Sequence, residues 1–137
     1  MWWIYALLSA LFAALTAILA KIGIKGVDSN LATALRTVVI LVLAWGIVYF
    51  RGGLAEVHTL TRTNLLFLGL SGLATGLSWI FYFKALQVGR VSRVAPVDKL
   101  SVALTIVLSV VFLGEKLTWQ TGVGAGLIVI GTLVLIL

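Results

Sequence analysis

Five mostly apolar segments, each about 20 residues long, fill most of the chain and leave only short polar connections. A helix of about 20 apolar residues crosses the hydrocarbon core of a bilayer, which is roughly 30 Å thick, and such a run is too long for a single strand. The sequence therefore predicts five membrane-spanning helices, at residues 2–21, 31–50, 65–84, 94–113 and 119–137.

The composition supports the same interpretation. Hydrophobic residues make up 62% of the chain and charged residues 10%, whereas soluble domains average about 45–50% apolar and about 25% charged. We therefore expect an all-α integral membrane protein, with one transmembrane domain at residues 1–137. The opening Met1-Trp2-Trp3 lacks the positive segment of a signal peptide, so we expect this region to remain as a helix.

Several classes of function find no support in the residues. The chain has no cysteine and a single histidine, His58, so it offers no thiolate or histidine metal cluster, and His58 reads as a solvated loop residue. No catalytic constellation and no phosphate-binding glycine loop are present. The net charge of +6 is scattered over helix ends and forms no nucleic-acid groove. We predict no enzyme activity, no cofactor, no metal and no nucleic-acid partner.

The basic residues are divided unequally between the two sides of the predicted membrane. An odd number of spans places the termini on opposite sides. Seven basic residues fall in or beside the loops after the first and third helices, and three fall on the other side. The positive-inside rule then predicts an outer N-terminus and an inner C-terminus. The seven are Lys21, Lys25, Arg36, Lys84, Arg90, Arg93 and Lys99, and the three are Arg51, Arg62 and Lys116.

The fourth predicted helix carries adjacent charges, Asp98 and Lys99, near its start. We expect Ser92 to cap this helix and Pro96 to lie in its first turn, where a missing N–H costs little. Ionisable residues inside a membrane mark solute or proton pathways by default. Alternatively, Asp98 is an acid that suits the positive end of the helix dipole, and Lys99 extends to the membrane surface, as Lys21 and Lys84 can.

Hydroxyl and aromatic side chains recur at helical spacing and predict a polar pathway. The alternatives are that the hydroxyls bond back to their own helix or join helices, and that the aromatic residues form an interfacial belt. The predicted pathway residues are Ser9 and Thr16 in the first helix, Ser71, Thr75, Ser78, Trp79 and Tyr82 in the third, and Ser101 and Thr105 in the fourth.

Small residues and capping residues predict how the helices pack and begin. Two GxxxG pairs, Gly72 with Gly76 and Gly122 with Gly126, favour close helix packing in lipid. Residues 54–63 can lie on the membrane surface as a short amphipathic turn. The expected N-caps are Asp28, Ser29 or Asn30 for the second helix, Thr63 or Asn64 for the third, and Thr118 for the fifth.

The chain resembles the EamA-type domain of the drug/metabolite transporter superfamily over nearly its whole length. Lys21 falls where the family often has a lysine late in the first helix, and Leu35-Arg36 matches its "LR" in the second. The stretch from YFKALQVGRVSRVAPVDKLS through LGE to the glycines of the last helix is similar to the family's end pattern. The five-helix length resembles the small bacterial and archaeal transporter branch.

The resemblance implies a secondary transporter in the cell (inner) membrane, an exporter of a small polar metabolite. Larger members contain two inverted five-helix repeats, so one repeat should pair as a homodimer. An antiparallel pair is preferred because it reproduces the fused arrangement, although the charge bias favours one orientation. A parallel pair and a separate partner remain alternatives. A different reading is a non-transporting accessory or assembly subunit.

Charged residues add expectations about the solute. Lys21, Arg36, Lys84 and Lys99 would favour an anionic or zwitterionic solute, and Asp98 would pair with a lysine or carry a proton. The four-helix small multidrug exporters carry a glutamate inside the first helix, and the first helix here has no carboxylate. Export of lipophilic cations by that mechanism is therefore disfavoured.

Overall fold

The structure, a computed structural model, describes all residues, 1–137, and consists of helices without strands. Six α-helices and one short 3₁₀ helix follow one another along the chain. Their bounds are α1 Trp2–Gly23, α2 Ser29–Phe50, the 3₁₀ helix Gly53–Thr59, α3 Arg62–Val88, α4 Val91–Asp98, α5 Leu100–Leu113 and α6 Trp119–Ile136.

Five segments are long and apolar enough to cross a membrane, which confirms the predicted fold class. Four of them are single helices, namely α1, α2, α3 and α6. The remaining span, Val91–Leu113, is made of α4 and α5 together. Most large apolar side chains along these spans are exposed on the isolated chain, as expected where lipid is the solvent.

The helices divide into two compact units, and the boundary between them falls inside α1. One unit comprises residues 19–87, with the end of α1, α2, the 3₁₀ helix and α3. The other comprises residues 1–18 and 88–137, with the rest of α1 and the helices from α4 to α6.

In the unit of residues 19–87, long-range hydrogen bonds join the helix ends. The Lys21 ammonium donates to the carbonyl of Leu86, and the Gln87 side chain donates to the carbonyl of Val27 at 2.9 Å. Late carbonyls of a helix lack partners in their own helix and attract cations. The buried side chains of this unit are Ala20, Ile24, Ser29, Thr33, Phe83 and Leu86.

The N-caps of α2 and α3 differ in how well the sequence predicted them. Asp28 caps α2, with one carboxylate oxygen accepting from the N–H of Asn30 at 2.9 Å and of Leu31 at 3.1 Å. Helix α3 begins earlier than expected, at Arg62, so Thr63 and Asn64 are not its caps. Instead the Thr61 hydroxyl accepts from the N–H of Asn64 at 3.1 Å.

In the unit of residues 1–18 and 88–137, the span containing Pro96 is interrupted. Helix α4 has Arg90 rather than Ser92 at its N-cap, so Pro96 lies past the first turn, contrary to the sequence prediction. The Pro96 carbonyl accepts from the Lys99 N–H at 3.0 Å and from the buried Thr132 hydroxyl of α6 at 3.2 Å. In a continuous α-helix this carbonyl would serve the N–H of residue 100, and a side chain inserted into that ladder bends a helix.

The connection between α5 and α6 has a well-defined start and end. Gly114 ends α5 with a φ of 67°, a left-handed conformation that glycine adopts without steric cost. Beyond it, the Glu115 N–H donates to the carbonyl of Ser109 at 3.3 Å. Thr118 caps α6 as predicted, because its hydroxyl accepts from the N–H of Thr121 at 3.2 Å.

Candidate functional site

Arg36 of α2 contacts two aromatic side chains of α3. Its guanidinium carbon lies 5.1 Å from the ring centroid of Trp79 and 4.4 Å from that of Phe83. Both distances are within the roughly 6 Å reach of a cation–π interaction. Trp79 and Phe83 are four residues apart and so share one face of α3. Arg36 and Trp79, which were both predicted as site residues from the sequence, therefore contact each other in the structure.

The two aromatic contacts offset much of the cost of placing Arg36 in a membrane span. An arginine at the centre of a span costs about 2.5–3.5 kcal/mol on insertion scales, whereas a cation–π contact contributes about 0.5–2 kcal/mol. The buried Nη1 atom of Arg36 has no hydrogen-bond partner, and an unpaired buried donor carries a further cost. The guanidinium is thus held in place by the aromatic rings, although not all of its N–H groups have hydrogen-bond partners.

No acidic side chain of the chain pairs with Arg36. The one ion pair joins Asp98 and Lys99, and the Asp28 carboxylate caps α2. The other two acids, Glu56 and Glu115, lie in the 3₁₀ helix and in the connection after α5. The positive charge of Arg36 therefore has no counter-ion within the chain.

The other predicted cations and aromatic residues of this unit have different surroundings. Lys21 is half-buried and bonded to the Leu86 carbonyl, whereas Lys84 is exposed. Tyr82 is half-buried and sits edge-on to Phe83, with ring centroids 5.9 Å apart. The position of Lys21 depends on its long-range hydrogen bond to the Leu86 carbonyl.

The hydroxyl residues of α3 lie on its exposed surface. Ser71, Thr75 and Ser78 are exposed in the isolated chain. The Thr75 hydroxyl donates to the carbonyl of Ser71 at 2.9 Å, within its own helix. The hydroxyl proton is thus bonded back to its own helix, which is one of the alternatives predicted from the sequence. The oxygen can still accept a hydrogen bond. These residues can line a pathway only if something else closes over this face.

The other unit contains the adjacent charges and the remaining hydroxyl residues. Lys99 Nζ lies 3.3 Å from the Asp98 carboxylate, at the interruption between α4 and α5 and inside the span Val91–Leu113. Ser101 and Thr105 are exposed on α5, and the Thr105 hydroxyl donates to the Ser101 carbonyl at 2.7 Å. On α1, Ser9 is exposed and Thr16 is half-buried.

The glycine pairs make no close contacts within the chain. A Cβ atom added at Gly72, Gly76, Gly122 or Gly126 would meet no other heavy atom within 4 Å, helix backbone aside. The close helix approach that a GxxxG pair permits is therefore not used within either unit, and the packing role of these glycines stays a prediction.

A groove of about 270 Å³ lies between α2 and the 3₁₀ helix. Its lining is apolar apart from Glu56, and none of the residues predicted for solute or coupling contributes to it. The lining residues are Ala44, Trp45, Val48, Gly53, Glu56, Val57 and Leu60.

Two residues of these sites were not predicted from the sequence. Phe83 completes the aromatic contact with Arg36, and its spacing of four residues from Trp79 is the signal that could have indicated it. Thr132 binds the carbonyl at the interrupted span. A threonine in an otherwise apolar, glycine-rich helix was the available sign, because buried hydroxyls need partners.

Comparison with known proteins gives one family and one relative. The sequence profile of the EamA-like transporter family matches residues 1–137. A Sinorhizobium protein named "uncharacterized transporter in cobO 3'region" is 48% identical over 134 residues, which cover 98% of this chain and 95% of the relative. No solved structure matches the chain.

Proposed function

The chain belongs to the EamA-like transporter family, and we propose that it is a secondary transporter that exports a small polar solute across the cell membrane. Family membership confirms the resemblance found in the sequence. Together with the five apolar helices, it makes the protein a multi-pass membrane transporter. The solute, the direction of transport and the particular membrane belong to the proposal.

The observation that carries the proposal is the interrupted span at Lys99. Transporters commonly build their solute and ion sites from discontinuous helices near the middle of the membrane. Here the break is confined to Lys99, whose backbone stays right-handed at φ -71° and ψ -9°. It lies roughly 12 Å along the helix from Val91, at the Asp98–Lys99 ion pair. Charged groups inside a span mark a pathway by default. Asp98 would exchange its lysine partner for a proton during transport.

We propose that two copies of the chain enclose the pathway. The support is that predicted pathway residues lie on exposed surfaces of a single chain, as Ser71, Thr75 and Ser101 do. The Thr75 hydroxyl proton is bonded within its own helix, but the hydroxyl oxygens keep accepting capacity, and a second copy would cover this row. An antiparallel homodimer would reproduce the inverted-repeat design of larger transporters. The glycine pairs, which have open space around them within one chain, would lie at such an interface.

Flux measurements on a double variant test the role of the ion pair. The purified protein is reconstituted in proteoliposomes, and currents are recorded on a solid-supported membrane while amino acids, organic acids and sugars are supplied in turn. We expect at least one solute to give a current that the Asp98→Ala/Lys99→Ala variant loses. The matched control is Glu115→Ala/Lys116→Ala, which removes another adjacent acid–base pair that lies outside the spans.

The outcomes separate the alternatives. Flux that survives loss of both Asp98 and Lys99 means that their assigned roles are wrong. Absence of flux for every solute, in a protein that is folded by circular dichroism, would favour the accessory-subunit reading instead.

A further inference from the structure

We infer that Arg36, held against Trp79 and Phe83, binds the carboxylate group of the transported solute, so that the solute is a small organic acid. This inference rests on the proposed transport function and narrows its solute class. The juxtaposition that carries it is a membrane-embedded guanidinium on two aromatic side chains, with no acid of the chain beside it.

The shape of the contact selects planar anions. The rings of Trp79 and Phe83 lie close to the guanidinium carbon of Arg36. Guanidinium N–H groups project in the plane of the group, where they match the two oxygens of a carboxylate. The contacts with the two rings thus hold the side chain, and the in-plane donors other than the enclosed Nη1 are left for a ligand. The same rings offer an apolar surface to the hydrocarbon part of an organic acid.

The charge balance requires an anion from outside the chain. Asp28 is engaged at the helix cap and Asp98 with Lys99, and neither remaining acid pairs with Arg36. Tyr82 of α3 interacts electrostatically with Arg36, but it is not a carboxylate. On α2, hydroxyls next to Arg36 in sequence belong to Thr33 and Thr37. Each donates to a carbonyl of its own helix at 2.8 Å. No carboxylate of the chain therefore neutralises the guanidinium.

Partial burial strengthens the attraction. Nη1 is enclosed and unpaired, while the side chain as a whole is half-buried. Charges attract more strongly where water is excluded. An anion therefore meets, at the exposed part of Arg36, a cation that is only partly hydrated.

The depth of Arg36 favours a solute over a lipid phosphate. Arg36 lies seven residues after Ser29, the first residue of α2, which is roughly 10 Å along the helix. Lipid phosphates lie outside the hydrocarbon core. If the core begins near the start of α2, a headgroup would have to descend to reach this position. A small organic acid moving along a pathway through the span would pass it.

Quenching of Trp79 fluorescence by iodide reports anions at Arg36 without knowledge of the natural solute. The measurement uses a full-length protein in neutral detergent whose other tryptophans, Trp2, Trp3, Trp45 and Trp119, are replaced by phenylalanine. Because a cation concentrates anions nearby, we expect Arg36→Gln to lower the iodide quenching constant roughly twofold or more. Quenching by uncharged acrylamide should be unchanged. The matched control, Arg62→Gln, removes an exposed arginine at the start of α3.

Competition then tests the carboxylate. Cyclohexanecarboxylate should protect Trp79 from iodide, and the uncharged cyclohexanecarboxamide should not. The Arg36→Lys variant keeps the charge without the planar donors, so it should retain iodide quenching and lose most of the protection by the carboxylate. Equal changes in iodide and acrylamide quenching, or equal effects of acid and amide, would show that Arg36 only packs the helices together.

Two further measurements, one with added lipid and one of transport, distinguish a solute site from a lipid site and from a site without transport. If added phosphatidylglycerol blocks iodide as well as the carboxylate does, the site holds a lipid phosphate and the inference is overturned. If Arg36→Gln leaves every measured flux unchanged, the inference fails while transport stands. If anion binding behaves as expected but no solute is carried, the proposed function fails and the anion site stands.

A second measurement covers the case in which the single-tryptophan protein does not fold. The unfolding temperature of the otherwise native protein should rise with cyclohexanecarboxylate and not with its amide, because a ligand that binds the folded state stabilises it. Arg36→Gln should abolish this difference. A rise that persists in Arg36→Gln would place the carboxylate elsewhere.

Discussion

Asp28 illustrates how much one side chain contributes where the chain re-enters the membrane. Its carboxylate accepts two backbone N–H groups at the start of α2. Replacing Asp28 by alanine should lower the free energy of unfolding by about 1 kcal/mol, the usual cost of losing an N-cap. Asp28→Asn keeps an acceptor oxygen and should stay close to the parent. Denaturant unfolding in detergent measures both, and an equal loss in the two variants would contradict a capping role.

At the same residue scale, the sequence identified Arg36 but not its surroundings. A cation in an apolar run is visible in the sequence because insertion scales penalise it. Its contact with Trp79 and Phe83 depends on how α2 meets α3, and helical periodicity within one segment carries no such information. For the same reason the enclosed, unpaired Nη1 atom could not be foreseen.

At the scale of elements, the apolar runs in the sequence predicted the spans. They did not predict the interruption of one span. It involves the Thr132 hydroxyl, which reaches the Pro96 carbonyl across 36 positions of sequence. The local sequence pattern showed only that a proline was present, and it predicted Pro96 in the first turn of a helix. The actual helix begins at Val91, so the proline lies deeper and Asp98 ends α4 instead of starting a helix.

Removing the Thr132 hydroxyl should make this span more continuous. In Thr132→Val the Pro96 carbonyl loses one of its two donors and becomes available to the N–H of Leu100. We expect slower hydrogen exchange at that amide, measured by nuclear magnetic resonance in micelles. The lost hydrogen bond should cost about 0.6 kcal/mol, the average for such bonds in membranes.

The conservative variant provides the control for that measurement. Thr132→Ser keeps the hydroxyl and should exchange like the parent protein. Unchanged exchange at Leu100 in Thr132→Val would mean that the interruption is maintained by Pro96 and the Lys99 turn alone.

At the scale of the whole molecule, orientation decides which dimer is possible. Single cysteines replacing Ala55 and Asn30, both exposed, report opposite sides of a chain that has no native cysteine. Ala55 lies in the 3₁₀ helix between α2 and α3, and Asn30 lies in the first turn of α2. For the proposed antiparallel homodimer we expect a membrane-impermeant maleimide, added to intact cells, to label both sites in comparable amounts.

Labelling of the Ala55 position alone would overturn that arrangement. It would agree with the excess of basic residues on the predicted inner side and leave a parallel pair or a separate inverted partner. The orientation and pairing of whole chains are what the sequence predicted least well. The seven-to-three charge bias and the inverted-repeat design favour different answers, and neither depends on contacts within one chain.

The left-handed glycine that ends α5 restricts how this chain can vary over evolutionary time. At Gly114, with its φ of 67°, asparagine and aspartate are the side chains that tolerate the conformation best. A glycine codon reaches asparagine only through more than one base change, whereas a single change reaches aspartate. Aspartate would place a second carboxylate directly beside Glu115. We therefore expect purifying selection to keep glycine at this position across orthologues, even where the neighbouring apolar residues of α5 drift freely.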